Sequence, residues 1–197
     1  GNAWVDKGNS NITWCDNEVA IACIQPTFSP QQRFVVVGDV WLSNQAELVQ
    51  QYAHSTSLEI VAHLWELKGI DCLNLLEGMF VFAVWDRERH QLWLVRDRVG
   101  SRTLYYTTIG STCWIAPRLK TLAPYRSSEL NLVALRDYLC CAFVPGEQTL
   151  WQDVRELRPG TVLCLSGNSN EPQRRRERRE IYWESKEGVG ERERGLG

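Results

Sequence analysis

The 197-residue sequence is poor in methionine and histidine, with one and three respectively, and holds no long apolar run. No segment approaches the roughly 18 consecutive apolar residues of a spanning helix, and no signal-peptide pattern opens the chain. A membrane partner is therefore not expected, and a cytoplasmic setting is. Neither sign of charge dominates: 22 Lys and Arg oppose 24 Asp and Glu, a net charge of -2. That balance removes the global attraction on which a nucleic-acid binder relies. His54, His63 and His90 are far apart and show no ligand spacing, so no metal site is expected. The seven cysteines, at 15, 23, 72, 113, 140, 141 and 164, are odd in number and lack a two-residue gap. They read as small buried thiols of a reducing compartment, including the vicinal Cys140 and Cys141, which fall in an apolar helical pattern.

What is present favours a folded core. Apolar residues make up 44% of the chain and nine are Trp, enough for one domain followed by a tail. Val19–Ile24 reads as a short buried strand ended by Gln25-Pro26. Arg33–Trp41 reads as a second, β-branched strand in which Gly38 marks a bulge or a close backbone approach. Ser43–Tyr52 reads as a short helix. Thr56 and Glu59 have capping-box spacing before Ile60, Val61, Leu64 and Trp65, and Gly69 stops that helix. Asp71–Leu76 adds a helical turn or two. Met79–Trp85 is apolar on both faces, the pattern of a strand held between layers. Asp86–Arg89 turns the chain and Gln91–Arg96 returns as a hairpin. Strands over Leu104–Tyr106, Cys113–Ala116 and Thr161–Leu165 follow, and Asn131 caps a helix with Leu132, Leu135, Tyr138 and Leu139 as its apolar face.

Charge is concentrated in two places. Arg96, Asp97 and Arg98 follow a strand, where alternating charges make an ion-pair network at a domain face more readily than a catalytic group. Asp86 and Asp97 both stand at strand ends, where turns favour Asp. From Ser166 to Gly197 there are eight Lys and Arg, seven Glu and few apolar residues. That stretch reads as a disordered polyampholyte linker, with Ile181-Tyr182-Trp183 as an apolar exception, and its interleaved Glu makes a nucleic-acid partner not expected.

Gly78-Met79-Phe80 through Trp85-Asp86, then Arg96-Asp97-Arg98-Val99-Gly100 and Leu104-Tyr105-Tyr106, resemble the asparagine synthetase family. A second block agrees: Tyr138-Leu139, Val144-Pro145-Gly146, Thr149-Leu150-Trp151, Val154, Leu157 and Pro159-Gly160. Tyr182-Trp183 is similar to the pair just before that family's synthetase domain. The resemblance spans roughly Val19 to Leu165. It implies an α+β fold, the four-layer αββα sandwich of N-terminal-nucleophile hydrolases, over residues 1–165. In the family this class II amidotransferase domain hydrolyses glutamine and passes ammonia to an ATP-dependent synthetase domain that converts aspartate to asparagine.

The same resemblance implies a changed site. The family's N-terminal Cys is both nucleophile and, through its α-amine, its own base; this chain opens at Gly1, so no catalytic residue is expected, and the first strand is expected to be missing. The family's Asn-Gly-Glu corresponds to Val37, Gly38 and Asp39, which removes an amide that a polar substrate needs. Its Ser-Asp-Thr-Glu corresponds to Thr56-Ser57-Leu58-Glu59, so the acid that pairs with the substrate amine is Ser57. The Arg that grips the substrate carboxylate falls near Ile24 or Gln25. Arg96, Asp97, Arg98 and Gly100 are implied to be interdomain or structural. The expectation is a degenerate domain without a cofactor of its own, a scaffold for a synthetase domain in cis or trans that would bind ATP and Mg, with a homodimer compatible. The competing expectations are a fragment of a working glutamine-hydrolysing enzyme, and a peptide- or carrier-binding module using Trp41, Trp93 and Trp151.

Overall fold

A computed structural model describes residues 14–15, 18–21, 26–52, 56–110, 112–166 and 178–182. Strand β1 (Trp14–Cys15) pairs with β2 (Ala20–Ile21). The main sheet contains β3 (Thr27–Phe28), β4 (Phe34–Leu42), β5 (Gly78–Asp86) and β6 (Gln91–Arg96). The second sheet contains β7 (Tyr105–Ile109), β8 (Thr112–Ala116) and β9 (Val154–Glu156). Strands β10 (Thr161–Ser166) and β11 (Arg178–Tyr182) rejoin the main sheet, whose order is β11-β10-β6-β5-β4-β3 and whose neighbours are all antiparallel. The helices are α1 (Gln45–Tyr52), α2 (Ser57–Lys68) and α3 (Leu132–Cys141), with 3-10 segments at Gly69–Leu75 and Leu119–Tyr125.

Alternation along β4 and β5 sorts their side chains into two cores. Phe34, Val36, Phe80, Phe82 and Val84 meet Ile60, Val61, Leu64 and Trp65 of α2 and Leu48 of α1. On the opposite face Val81, joined by Leu94 and Leu163, meets Leu104, Tyr106 and Leu157 around the second sheet. That sheet's outer face buries Ala116 and Val154 against Leu122 of the second 3-10 segment. Helices, main sheet, second sheet and the second 3-10 segment thus stack in four layers, with β5 between layers as its apolar run predicts. The α2 start is fixed by a capping box: Glu59 N–H donates to Thr56 Oγ1 at 3.2 Å, and Thr56 N–H donates to Glu59 Oε2 at 3.0 Å. Gly69, at φ +56°, ends the helix.

Four expectations need correction or narrowing. The tail reading is narrowed at Arg178–Tyr182, which pairs with β10 along the sheet edge; residues 167–177 and 183–197 lie outside the described residues. The apolar face of α3 does not enter the core: Leu132, Tyr138 and Leu139 are exposed, and Ala134 is the buried residue of that helix. Cys140 and Cys141 are exposed with it, as is Cys15, whereas Cys72 and Cys164 are buried. Burial, reinforced by neighbouring Asp71, pushes the Cys72 thiol up to about 12, so it stays protonated and inert. The Val19–Ile24 strand is shorter where described, at Ala20–Ile21, and Ile24, Gln25 and Cys23 lie outside the described residues. Among the described residues no helix is long and apolar enough to cross a membrane, and no cluster of His, Cys, Asp and Glu could hold a metal ion.

Candidate functional site

Val37, Gly38 and Asp39 lie at the middle of β4, in unbroken register opposite Ala83, Phe82 and Val81 of β5. Of the two readings of Gly38, the close approach holds and the bulge does not. A Cβ built there would stand 2.3 Å from the Val81 carbonyl oxygen and 2.5 Å from Phe82 Cβ. Any side chain would therefore force β4 and β5 apart. Val37 points to the opposite face, where it packs against the cluster of Ile21, Val35 and Trp85. Asp39 shares the Val37 face and is exposed. Its Oδ2 accepts a hydrogen bond from Arg102 Nε at 2.7 Å.

Arg102 reaches β4 because the loop after β6 is tied down from within. Asp97 is 1% exposed. Its Oδ1 accepts from Val99 N–H at 2.9 Å and Gly100 N–H at 2.8 Å, and its Oδ2 accepts from Ser101 N–H at 3.0 Å and Phe80 N–H at 3.2 Å. One carboxylate thus satisfies donors on both sides of the turn. Arg96, also buried, donates from Nη1 to Glu156 Oε1 at 2.8 Å and to the Leu157 carbonyl, and from Nη2 to the Gly100 carbonyl at 3.1 Å. Gly100 has φ +74°, and a Cβ there would lie 2.6 Å from Pro159 Cγ. The expected ion-pair network at a domain face is therefore an interior brace: Arg96 and Asp97 are inside it, and Arg98 is exposed and outside it. Its purpose is positional, since it joins the main sheet to the segment after β9 and sets where Arg102 emerges.

Ser57 is not joined to this strand by its hydroxyl, which donates to Gln45 Oε1 of α1 at 2.7 Å. Asp86, at the far end of β5, organises its turn as a strand-end Asp should, accepting from Glu88 N–H at 3.0 Å and Arg89 N–H at 3.1 Å. It also takes a two-pronged contact from Arg33, with Nε at 3.1 Å from Oδ1 and Nη2 at 2.6 Å from Oδ2. Burial alone would raise this carboxyl; the Arg33 guanidinium and the two turn N–H groups outweigh it and hold the group below the usual carboxylate range. A cavity of about 530 Å³ opens at this end, lined by Glu18, Gln32, Arg33, Arg87, Glu88 and His90 among others. It lies at the start of β4, and Asp39 is not among its lining residues. Of the Trp residues considered for binding, Trp41 is exposed, Trp93 packs against the helical core, and Trp151 lies beneath the Arg126 guanidinium at 3.2 Å.

Residues 5–178 match the glutamine amidotransferase domain family. The chain belongs to that family. Within it, this amidotransferase domain is related to asparagine synthetases. It is 37% identical over 96 residues to asparagine synthetase [glutamine-hydrolyzing] 1 of Bacillus subtilis (strain 168), which covers 48% of the chain and 15% of that protein. Amidase chyE of Penicillium rubens is 28% identical over 135 residues, covering 68% of the chain and 19% of the relative. The domain thus spans under a fifth of either relative. Among solved structures, glutamine phosphoribosylpyrophosphate amidotransferase from B. subtilis, complexed with ADP and GMP, aligns with a TM-score of 0.50 at 16% identity, covering 74% of this chain and 30% of that one. At that identity the likeness shows the fold, of the N-terminal-nucleophile type, and nothing finer. Arg102 is the site residue that reading the sequence missed. The available signal was a cation placed two residues beyond a glycine turn, which by itself names no partner.

Proposed function

We propose that this amidotransferase domain does not take glutamine and acts instead as a scaffold for an ATP-dependent synthetase partner, in cis or in trans, in the cytoplasm. The observation that carries the reading is the Asp39–Arg102 pair at 2.7 Å. An amino-acid substrate needs an anion for its amine, a cation for its carboxylate and polar groups for its amide. The acid that the resemblance sets against the amine is absent, and Asp39, the acid retained from the other motif, is paired at the surface with Arg102. Ser57 offers a hydroxyl where the resemblance calls for a carboxylate, and that hydroxyl is engaged with Gln45. Val37 contributes to an apolar cluster where an amide would serve. An amide-bearing ligand desolvated against Val37 would lose about 1–3 kcal/mol for each unmatched polar atom.

ATP and Mg belong to the synthetase partner in this reading, and the domain needs no cofactor of its own. The test is ammonia supply. With the full coding sequence expressed, the proposal expects ATP-dependent turnover with free ammonium and none above background with L-glutamine. Robust ammonia release from glutamine would overturn it and favour the competing reading, a segment of a working glutamine-hydrolysing enzyme.

A further inference from the structure

The last turn of α3 has little packing to hold it. Residues 138–143 are all exposed, so the core does not depend on this turn keeping its shape. Ala142 closes the turn at φ +62°, a left-handed conformation that a residue with a Cβ seldom adopts. Its N–H donates to the Tyr138 carbonyl at 2.8 Å. Cys140 and Cys141 are the last two residues of the helix. Both are exposed, whereas Cys72 and Cys164 are buried. Cys15 is exposed as well, but its neighbours in sequence are Trp14 and Asp16. Adjacency keeps a second sulfur within one residue of the first, so a bond between them closes within one molecule and needs no second chain.

We propose that Cys140 and Cys141 are a reversible redox site, closed to a disulfide between neighbours by a low-molecular-weight disulfide such as oxidised glutathione. One cysteine thiolate attacks a sulfur of the oxidant. A mixed disulfide forms, the oxidant's S–S bond breaks, and one thiolate leaves. The second cysteine gives up its proton and attacks the protein sulfur of that mixed disulfide, which expels the other thiolate. The two cysteines lose two electrons and two protons, and the oxidant takes them up as two thiols. The helix resists closure. Adjacent Cα atoms stand about 3.8 Å apart across a trans peptide, below the roughly 4.4–6.8 Å that an unstrained disulfide spans. Helical neighbours also point about 100° apart. The bond therefore requires residues 140 and 141 to leave helical geometry, which breaks the hydrogen bond from Ala142 to Tyr138 and releases the left-handed Ala142. An exposed, strained disulfide is readily reduced. The pair thus rests as thiols under reducing conditions and answers oxidising ones by opening the end of α3. The inference uses none of the residues around Asp39 and stands apart from the reading of glutamine use.

Equilibration of the full chain with reduced and oxidised glutathione, followed by thiol blocking and peptide mass analysis, tests it. The peptide that holds Cys140 and Cys141 is expected to lose two hydrogens as the oxidised share of glutathione rises, and to regain them in reduced glutathione. Cys15 is expected to gain glutathione instead, because no sulfur adjoins it. Cys141→Ser, a change at an exposed position, is expected to retain glutathione on Cys140 at least about 10-fold more than the wild type does. A second readout does not depend on that variant. Amide exchange at Ala142 is expected to quicken at least about 10-fold on oxidation, while the amides of α2 exchange as before. Glutathione retained on both cysteines, a disulfide to a second chain in place of the closed pair, thiols that stay reduced where Cys15 is modified, or a closed pair with Ala142 exchange unchanged would each overturn the proposal.

Discussion

Replacing Asp97 with alanine is expected to destabilise the domain by about 3–5 kcal/mol, among the largest effects of any single substitution. The carboxylate accepts from Phe80, Val99, Gly100 and Ser101 N–H groups. Phe80 is buried and cannot turn to water, so its donor carries the full desolvation cost once the acceptor is gone. The other three lie in a half-exposed turn that can open, which limits the total. Opening the turn also frees Arg102, so the ion pair with Asp39 is lost with it. Asp97→Asn, which keeps one acceptor oxygen, is expected to fall between wild type and alanine. Urea unfolding monitored by Trp fluorescence measures the series; a change below about 1 kcal/mol for alanine would remove Asp97 from the brace assigned to it.

The second large effect belongs to Arg33. Changing it to methionine leaves Asp86 buried without its guanidinium, with an expected loss of about 2–3 kcal/mol at neutral pH, less than for a fully enclosed pair because Arg33 reaches solvent. The effect has a defined pH dependence. The Asp86 carboxyl is depressed in the folded protein, so the stability it contributes is complete above the ordinary carboxylate value of about 4 and is lost as pH falls through the depressed value. The gap between wild type and Arg33→Met should therefore close as the solution is acidified. Denaturation of both proteins from about pH 7 to pH 2.5 checks this. A gap that stays constant would mean that Arg33 acts through its packing over Phe34 and not through charge.

Elements specified by near neighbours in sequence were legible. The Thr56–Glu59 box and the Asn131 cap, whose Oδ1 accepts from Val133 and Ala134 N–H groups, occur where the sequence places them. The two-faced apolar run of β5 likewise announced a strand between layers. What escaped reading depends on partners far along the chain. Arg96 and Asp97 look like surface charges until Glu156 and Leu157, some sixty positions away, close over Arg96. Helical periodicity shows that α3 has an apolar line but not what lies opposite, so its exposure was invisible. Residues 178–182 read as part of an unfolded linker because their charged composition carries no apolar alternation to mark a strand. At the site, substitution at Val37 and Ser57 could be read from the resemblance alone. That Asp39 is already paired could not, because Arg102 is a neighbour only in the folded chain.

The proposed loss of glutamine use requires that the Val37–Asp39 segment of β4, with Asp39 paired to Arg102, hold no free amino acid. Calorimetric titration of the chain with L-glutamine addresses it without reference to any nucleophile. No saturable heat is expected up to about 10 mM ligand, and Asp39 backbone resonances should not move. Saturable binding tighter than about 1 mM, with shifts at Asp39 and Arg102 as their ion pair opens to admit the ligand, would contradict the account.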